Sequence, residues 1–432
     1  MIGNEHSLDV YLGKHIIANL SMLNDQLHWQ YSEDWQHTGY AVSPHLPLQG
    51  DIPTINVQIF LRNLLPEGNG LDELVKGFHL SKYNTYGLIR ALGLDTPGAL
   101  IMLTPQQSFP ENPYFRIITD NEMAQRLDSR DDFGLIIWDG KPRLSVAGVQ
   151  DKINVMINKE GKLGFGEGSL CSTHILKFEK QKFSHLVINE LITMRLAKQC
   201  GLTVANVQLR HFGKHPALLI ERFDRRIISI NEIQRRHIID GCQALNLPPE
   251  YKYERNFGSG RDVAHIRDGA SMKKLFDFAN LCSNPALTKQ QILDWVLFNL
   301  LIFNYDAHGK NISFFIGANG ISLTPFYDLV NIKMYPDFEH EMAMGLGDEF
   351  DGKTVHAYQL ADFADSCQLS RTLLTKRLKY LIKKLLPALE MEIKLNFSSD
   401  EENHYLNQYQ SMVYKQCVHL QKQSDDVVSV KL

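Results

Sequence analysis

The stretch 304–330, NYDAHGKNISFFIGANGISLTPFYDLV, decides how this chain reads. It begins where an apolar run, WVLFNLLIF (295–303), stops in a polar turn. Asp306 and Asn311 lie five positions apart in that turn. Two strand-like runs follow, NISFFI and ISLTPFY, joined by GANG, and their pattern predicts a hairpin. The return of that hairpin carries Asp328 toward Asn311. A hard divalent ion such as Mg2+ takes oxygen ligands, so an amide and a carboxylate brought together this way form a pair of suitable donors. Asp and Asn also favour turns and helix ends for structural reasons, and the pair alone leaves both readings open.

The rest of the chain sets bounds. At 432 residues it is long enough for two or three domains and an ample core. A net charge of −4 gives no global basic field that would point to nucleic acid or a membrane surface. Six cysteines (Cys171, Cys200, Cys242, Cys282, Cys367, Cys417) are far apart with no CxxC pair, which fits buried thiols in a reducing compartment better than disulfides or zinc. The N-terminal MIGNEHSLDVYLG has no apolar signal core, and no run of about 20 apolar residues occurs. A soluble, cytoplasmic protein is the expectation.

Periodicity divides the chain into three. Residues 1–110 mix short strands (LDVYLG, HWQYS) with helical stretches (INVQIFLRNLL, KYNTYGLIRALGL). The Pro-rich TPQQSFPENPYF reads as a linker, so 111–240 forms a second segment, strand-rich from about 140 (INVMI, THILKF, PALLIERF) and interrupted by the helix HLVINELITMRLAKQCG. Residues 241–432 read as largely helical. The predicted class is α+β: a strand-rich lobe, a helical lobe, and an N-terminal α/β subdomain. Such lobes commonly enclose a ligand cleft.

D-x-x-x-x-N is the spacing of the protein-kinase catalytic loop, where the Asp takes the acceptor hydroxyl's proton and the Asn holds Mg2+; Asp328 would be the second metal ligand, although its tripeptide, DLV, lacks the glycine of DFG. Lys177, in THILKF, points inward from a central strand, which is costly unless it is paired. Glu190, thirteen positions on along a helix, has the spacing of a kinase Lys–Glu pair; a solvent-facing lysine at a strand end is the plainer reading. LSVAGVQDK (144–152) offers small residues that let backbone N–H groups approach phosphate, with Lys152 adding charge, but it does not match GxGxxG. GFGEGS (164–169) reads as an extension of a hairpin turn. GDEFDGKT (347–354) fits the Walker A expression, yet Asp348, Glu349 and Asp351 would set three negative charges around a triphosphate; a solvated acidic loop is the reading adopted. The basic residues Lys376, Arg377, Lys379, Lys383 and Lys384 form the wet side of a core helix or face an acidic partner.

Taken together, NLLPEG, GLIRALGLDTPGAL, SVAGVQDK, THILKF, INELITMRLA, ERFDR, CQALNLPPEYKYE, YDAHGKNISFF and LTPFYDL follow one another as in the HipA toxin kinases of bacterial HipA/HipB modules, which the chain resembles over most of its length. The resemblance implies a serine/threonine protein kinase using ATP and Mg2+. It makes Asp306 the catalytic base, Asn311 and Asp328 the metal ligands, and Lys177 a contact to the ATP phosphates. Val146, Ala147, Gly148, Val149, Gln150, Asp151 and Lys152 become the phosphate loop. Ser145 becomes an autophosphorylated serine whose modification ejects that loop. Ile239 and Gly241 become the adenine hinge, without the acidic and bulky residues usual there. His308 and Lys310 join the nucleotide-binding set. The implied target is an aminoacyl-tRNA synthetase, chiefly glutamyl-tRNA synthetase. The implied partner is a HipB-like helix-turn-helix antitoxin through which DNA is mainly contacted, and the implied outcome is growth arrest and persistence. The alternatives are a P-loop NTPase through Gly347–Thr354 with Lys353, and a pseudokinase acting as co-repressor or scaffold.

Overall fold

The structure, a computed structural model, describes residues 6–143, 151–180, 182–395 and 399–432. The architecture is α+β, as expected, and the chain forms two compact units. Unit 1 comprises Met1–Lys180, Gln208–Pro249 and Phe314–Ile321; unit 2 comprises Gln181–Val207, Glu250–Ser313 and Ser322–Leu432.

Unit 1 holds two main sheets. The first has the order Gln26–Tyr31, His15–Leu23, Ser7–Leu12, Leu100–Leu103, with antiparallel neighbours. Its period-2 pattern puts Leu8 and Val10, and Leu27, Trp29 and Tyr31, inside. Helices Thr54–Arg62 and Thr85–Leu92 accompany it. The second sheet has six strands among the described residues, in the order Val207–Phe212, His215–Glu221, His174–Phe178, Lys152–Ile157, Leu163–Glu167, Tyr114–Ile117. One face carries Ile153, Val155, Phe165, Leu176, Phe178, Ala217 and Leu219, packed with Met123 and Leu127 of helix Asp120–Asp128. The alternate residues, Lys152, Asn154, Lys177 and Leu218, are buried on the other face.

Two expectations change here. The GFGE of GFGEGS is strand rather than turn, and only Gly168 and Ser169 turn: Leu163–Glu167 is paired to Lys152–Ile157 on one side and Tyr114–Ile117 on the other. Gly164 belongs to that pairing, since a Cβ there would meet the Arg116 carbonyl. For the same reason the expected linker ends early, because Tyr114 and Phe115 already belong to an edge strand.

Unit 2 is built on helices Leu186–Gln199, Pro285–Ile302, Ala357–Ser366, Arg371–Leu395 and Asp400–Ser424. Pro285–Ile302 starts with Asn284 accepting from the Leu287 N–H and with Pro285 in its first turn, where a missing N–H does no harm. Ile292–Ile302 is buried on every side, the pattern of a core helix. Trp295 stacks on Phe326, with centroids 5.9 Å apart and planes 14° from parallel. All six cysteines are buried and none is in a disulfide. Among the described residues no helix is long and apolar enough to cross a membrane.

Candidate active site

Helix Pro285–Ile302 ends at Phe303, whose left-handed backbone (φ 57°) returns its N–H to Asn299 O and turns the chain into the loop. The loop is then tied to itself. Asn311 Nδ2 donates to Asp306 O at 2.7 Å, and His308 N–H donates to the same carbonyl at 2.8 Å. His308 Nδ1 accepts from Lys310 N–H at 3.2 Å, so its ring proton sits on Nε2, 3.9 Å from Asp306 Oδ1. His308, Lys310 and Asn311 are buried, whereas the Asp306 side chain is 44% exposed. The Tyr327 hydroxyl donates to Lys310 O at 2.7 Å.

Asp328 is reached through a residue the sequence reading did not single out. Buried Asn304 accepts from Asp306 N–H at 3.3 Å, donates to Asn299 Oδ1 at 3.1 Å, and donates to Asp328 O at 3.4 Å. One amide thus joins the backbones at both ends of the hairpin. Around Asp328 the chain is held on three sides. Phe326 exchanges backbone hydrogen bonds with Thr203 (2.8 Å) and Ala205 (2.9 Å). Asn189 of helix Leu186–Gln199 accepts from Asn331 N–H (2.8 Å) and donates to Asn331 O (3.0 Å). Asp328 itself adopts φ 58°. A left-handed backbone is tolerated by Asp and persists where the surroundings fix it.

The residues present suit a hard cation. The Asn311 amide nitrogen is committed to Asp306 O, so its oxygen is the atom that a cation would meet. Among the described residues no three His, Cys, Asp or Glu side chains cluster. An ion here would therefore take one amide, one carboxylate and oxygens from its own ligand, as Mg2+ commonly does.

In unit 1, Lys177 and Lys152 are directly opposite each other on adjacent antiparallel strands, on the same face and both buried. Like charges directly opposite each other disfavour a sheet unless they are compensated. Lys152, expected in a loop, is the first residue of a strand. Asp151, beside it, pairs with Lys180 at 3.3 Å and Arg130 at 3.7 Å. Ser145, Val146, Ala147, Gly148, Val149 and Gln150 lie outside the described residues. Ile239 and Gly241 are buried, Ile239 in strand Ile238–Asp240 and Gly241 opening the short helix Gly241–Ala244 capped by Asp240. Glu190 is fully buried on helix Leu186–Gln199 in unit 2.

The Walker-like stretch is not a phosphate loop. Leu346 and Glu349 form an isolated bridge, no strand precedes Gly347, and the next helix begins only at Ala357. Its acids serve the turn: Asp351 accepts from Lys353 N–H, Glu349 from two backbone N–H groups, and Asp348 pairs with Arg267. The basic helix behaves as a wet face with local partners, since Arg377 pairs with Asp294 and Lys379 with Asp425.

Known proteins resemble the chain over most of its length. The HipA-like C-terminal domain model matches residues 144–389 and the HipA N-terminal domain model matches 8–103. The chain is 46% identical over 415 residues to the serine/threonine-protein kinase toxin HipA of Shewanella oneidensis, covering 95% of each chain. It is 30% identical over 388 residues to the Y4mE protein of Sinorhizobium fredii, covering 87% of this chain and 90% of that one. It superposes on the Shewanella oneidensis HipA solved with HipB and operator DNA with a TM-score of 0.91, covering 98% of this chain and 100% of that one. Two family models in order, one of them spanning more than half of the chain, place it in the HipA family of serine/threonine kinases.

Proposed function

We propose that this kinase is the toxin of a toxin–antitoxin pair, and that it transfers the γ-phosphoryl group of ATP to a serine or threonine hydroxyl of a protein. The observation that carries the reading is the tied catalytic loop: Asp306, Asn311 and Asp328 joined through Asn304 and the loop's own backbone. In this reading the acceptor oxygen bonds to the γ-phosphorus as Asp306 takes its proton. The bond from that phosphorus to the β–γ bridging oxygen breaks, and ADP leaves with the electron pair. Asn311 and Asp328 hold Mg2+, which offsets charge on the phosphate oxygens. Lys177 and Lys152 face the phosphates. Val146–Asp151 is the phosphate loop, Ile239 and Gly241 supply the hinge, and His308 and Lys310 line the nucleotide site.

The finer assignments follow the same reading. The domains are 1–110, 111–240 and 241–432. The target is an aminoacyl-tRNA synthetase such as glutamyl-tRNA synthetase, and its modification arrests growth and produces persistence. The partner is a HipB-like antitoxin that carries most of the DNA contact, a reading supported by the Shewanella oneidensis HipA having been solved together with HipB and operator DNA. The chain acts in the cytoplasm and silences itself by phosphorylation on Ser145. The test is intact mass after incubation with ATP and Mg2+, followed by peptide mapping. Wild type and Lys353→Ala should gain one phosphate at Ser145, and Asp306→Asn should gain none. A phosphorylated Asp306→Asn beside an inert Lys353→Ala would overturn the reading.

A further inference from the structure

Tyr253 lies outside the loop and reaches the Asp306 carboxylate. Its hydroxyl donates to Asp306 Oδ1 at 2.7 Å. Its ring stands edge-on to His308, with centroids 5.2 Å apart and planes at 89°. Phenol and imidazole thus flank one carboxylate oxygen. An aspartate as exposed as Asp306 would otherwise sample several staggered rotamers, and a donor at hydrogen-bond distance selects one.

What separates this contact from an incidental surface pair is the frame behind it. Lys252 O accepts from Gly309 N–H at 2.9 Å, inside the catalytic loop. Glu254 N–H donates to Ala343 O at 2.9 Å, and Ala343 N–H donates to Tyr305 O at 2.9 Å, directly before Asp306. The residues on either side of Tyr253 are therefore joined to the loop on either side of Asp306. Glu254 is buried, bound by the Arg267 guanidinium and accepting from Gly345 N–H at 2.8 Å. Burial raises its pKa against the pull of Arg267. So Tyr253, itself 37% exposed, projects from a fixed backbone onto a carboxylate whose backbone is fixed by the same bonds.

We infer that Tyr253 is a positioning residue for phosphoryl transfer: its hydroxyl holds the Asp306 carboxylate in the orientation that meets the acceptor hydroxyl. A residue that merely covered the carboxylate until substrate arrived would sit on a segment able to withdraw, and this segment is tied to the loop on both sides. The inference rests on Asp306 being the base.

The test measures label passed from γ-labelled ATP to a degenerate serine/threonine peptide pool, in a double-mutant cycle of Tyr253→Phe and Asp306→Asn. Tyr253→Phe keeps the ring on His308 and should lower the rate at saturating ATP roughly 10- to 100-fold, the effect of losing a hydrogen bond to a charged group. The KM for ATP should stay within about twofold, because the hydroxyl touches Asp306 and not the nucleotide. In the Asp306→Asn background the same substitution should cost nothing further. A wild-type or faster rate for Tyr253→Phe overturns the inference, as does an equal loss in both backgrounds. An unfolded Tyr253→Phe would make the role structural and overturn it as well. If Asp306→Asn alone keeps the wild-type rate, the base assignment fails first, and that result is distinct from all of these.

Discussion

Replacing Asp224 by Asn should destabilise unit 1 severely, although the two side chains have nearly the same shape. Asp224 Oδ2 accepts from Gly98 N–H, Arg222 Nη2 and Arg225 Nη1, each at 2.8 Å, and Oδ1 accepts from Arg222 Nε at 3.0 Å. Asp224, Arg222 and Arg225 are all buried. Burial alone would raise the Asp224 carboxyl, but the two guanidinium groups outweigh it and hold the pKa far below the ordinary value. Asp95 adds a second carboxylate, 3.1 Å from Arg225 and 3.5 Å from Arg222, and Arg235 adds a third guanidinium close enough to feel the others. Three positive groups thus face two negative ones, and Asp224→Asn leaves three facing one.

Removing one partner from a buried ion pair costs about 3–5 kcal/mol, a large share of the roughly 5–15 kcal/mol that holds a protein folded. At about 2–4 °C per kcal/mol for a unit of this size, the melting temperature should fall by roughly 10 °C. Arg222→Met changes the balance the other way, leaving two against two. It forfeits two hydrogen bonds to Asp224 as well as those to Ser172 and the Thr96 carbonyl, but Asp224 keeps Arg225 and the Gly98 N–H, so the cost should sit at the low end of that range, about 3 kcal/mol. Urea unfolding at neutral pH, followed by circular dichroism and fluorescence, would rank the variants. An Asp224→Asn midpoint equal to wild type, or an Arg222→Met protein less stable than Asp224→Asn, would refute the charge argument.

Two further outcomes are expected. Burial pushes the His237 imidazole down to about 4 from an ordinary 6.5, and His174 likewise. Both bind fewer protons folded than unfolded across that window, so stability should be complete above pH 6.5 and fall as pH drops, by about 2 kcal/mol between 6.5 and 5 from His237 alone. His237→Gln should flatten the urea midpoint against pH, and an unchanged slope would show that His237 is not the source. Asp328→Ala should weaken Mg2+-dependent ATP binding much more than adenosine binding; equal losses in calorimetry would remove Asp328 from the metal site.

The parts of the site written locally were readable. A buried helix that stops at a polar turn announces Asp306, and a period-2 hairpin announces the return to Asp328. Lys177 was readable because its strand's alternation assigns it a face. Its neighbour Lys152 was misplaced into a loop because the small residues upstream, Ser145, Ala147 and Gly148, and the polar Gln150 and Asp151 directly before it gave no sign that the strand begins there. ERFDR was visible as a motif and carried no role, since its partners Asp95, Thr96 and Gly98 lie more than a hundred residues away in sequence. Gly98 has a reason that only the folded chain supplies. With φ +77° it passes so close to His237 and Ile238 that a Cβ would press on both, and there its N–H reaches Asp224 while its carbonyl takes an Arg225 N–H.

The residues missed altogether, Asn189, Tyr253 and Asn304, share a property. None bears charge, and each looks ordinary for its element: an Asn in a buried helix, a Tyr in a polar stretch, an Asn just past a helix end. Their value is combinatorial, because each satisfies backbone or carboxylate groups that are far away in sequence or that point the wrong way for regular structure. The missing glycine of the DLV tripeptide has the same kind of explanation. The chain reverses at Asp328 itself, with φ 58°, while Val330 remains outside the left-handed region. A glycine two residues on is then not required. What is required is a set of contacts that hold an aspartate in a conformation it seldom keeps alone, and Asn304 at its carbonyl, Asn189 three residues beyond and Phe326 stacked on Trp295 supply them. The candidate metal ligand therefore depends on a helix, an amide and a ring that no local motif would connect.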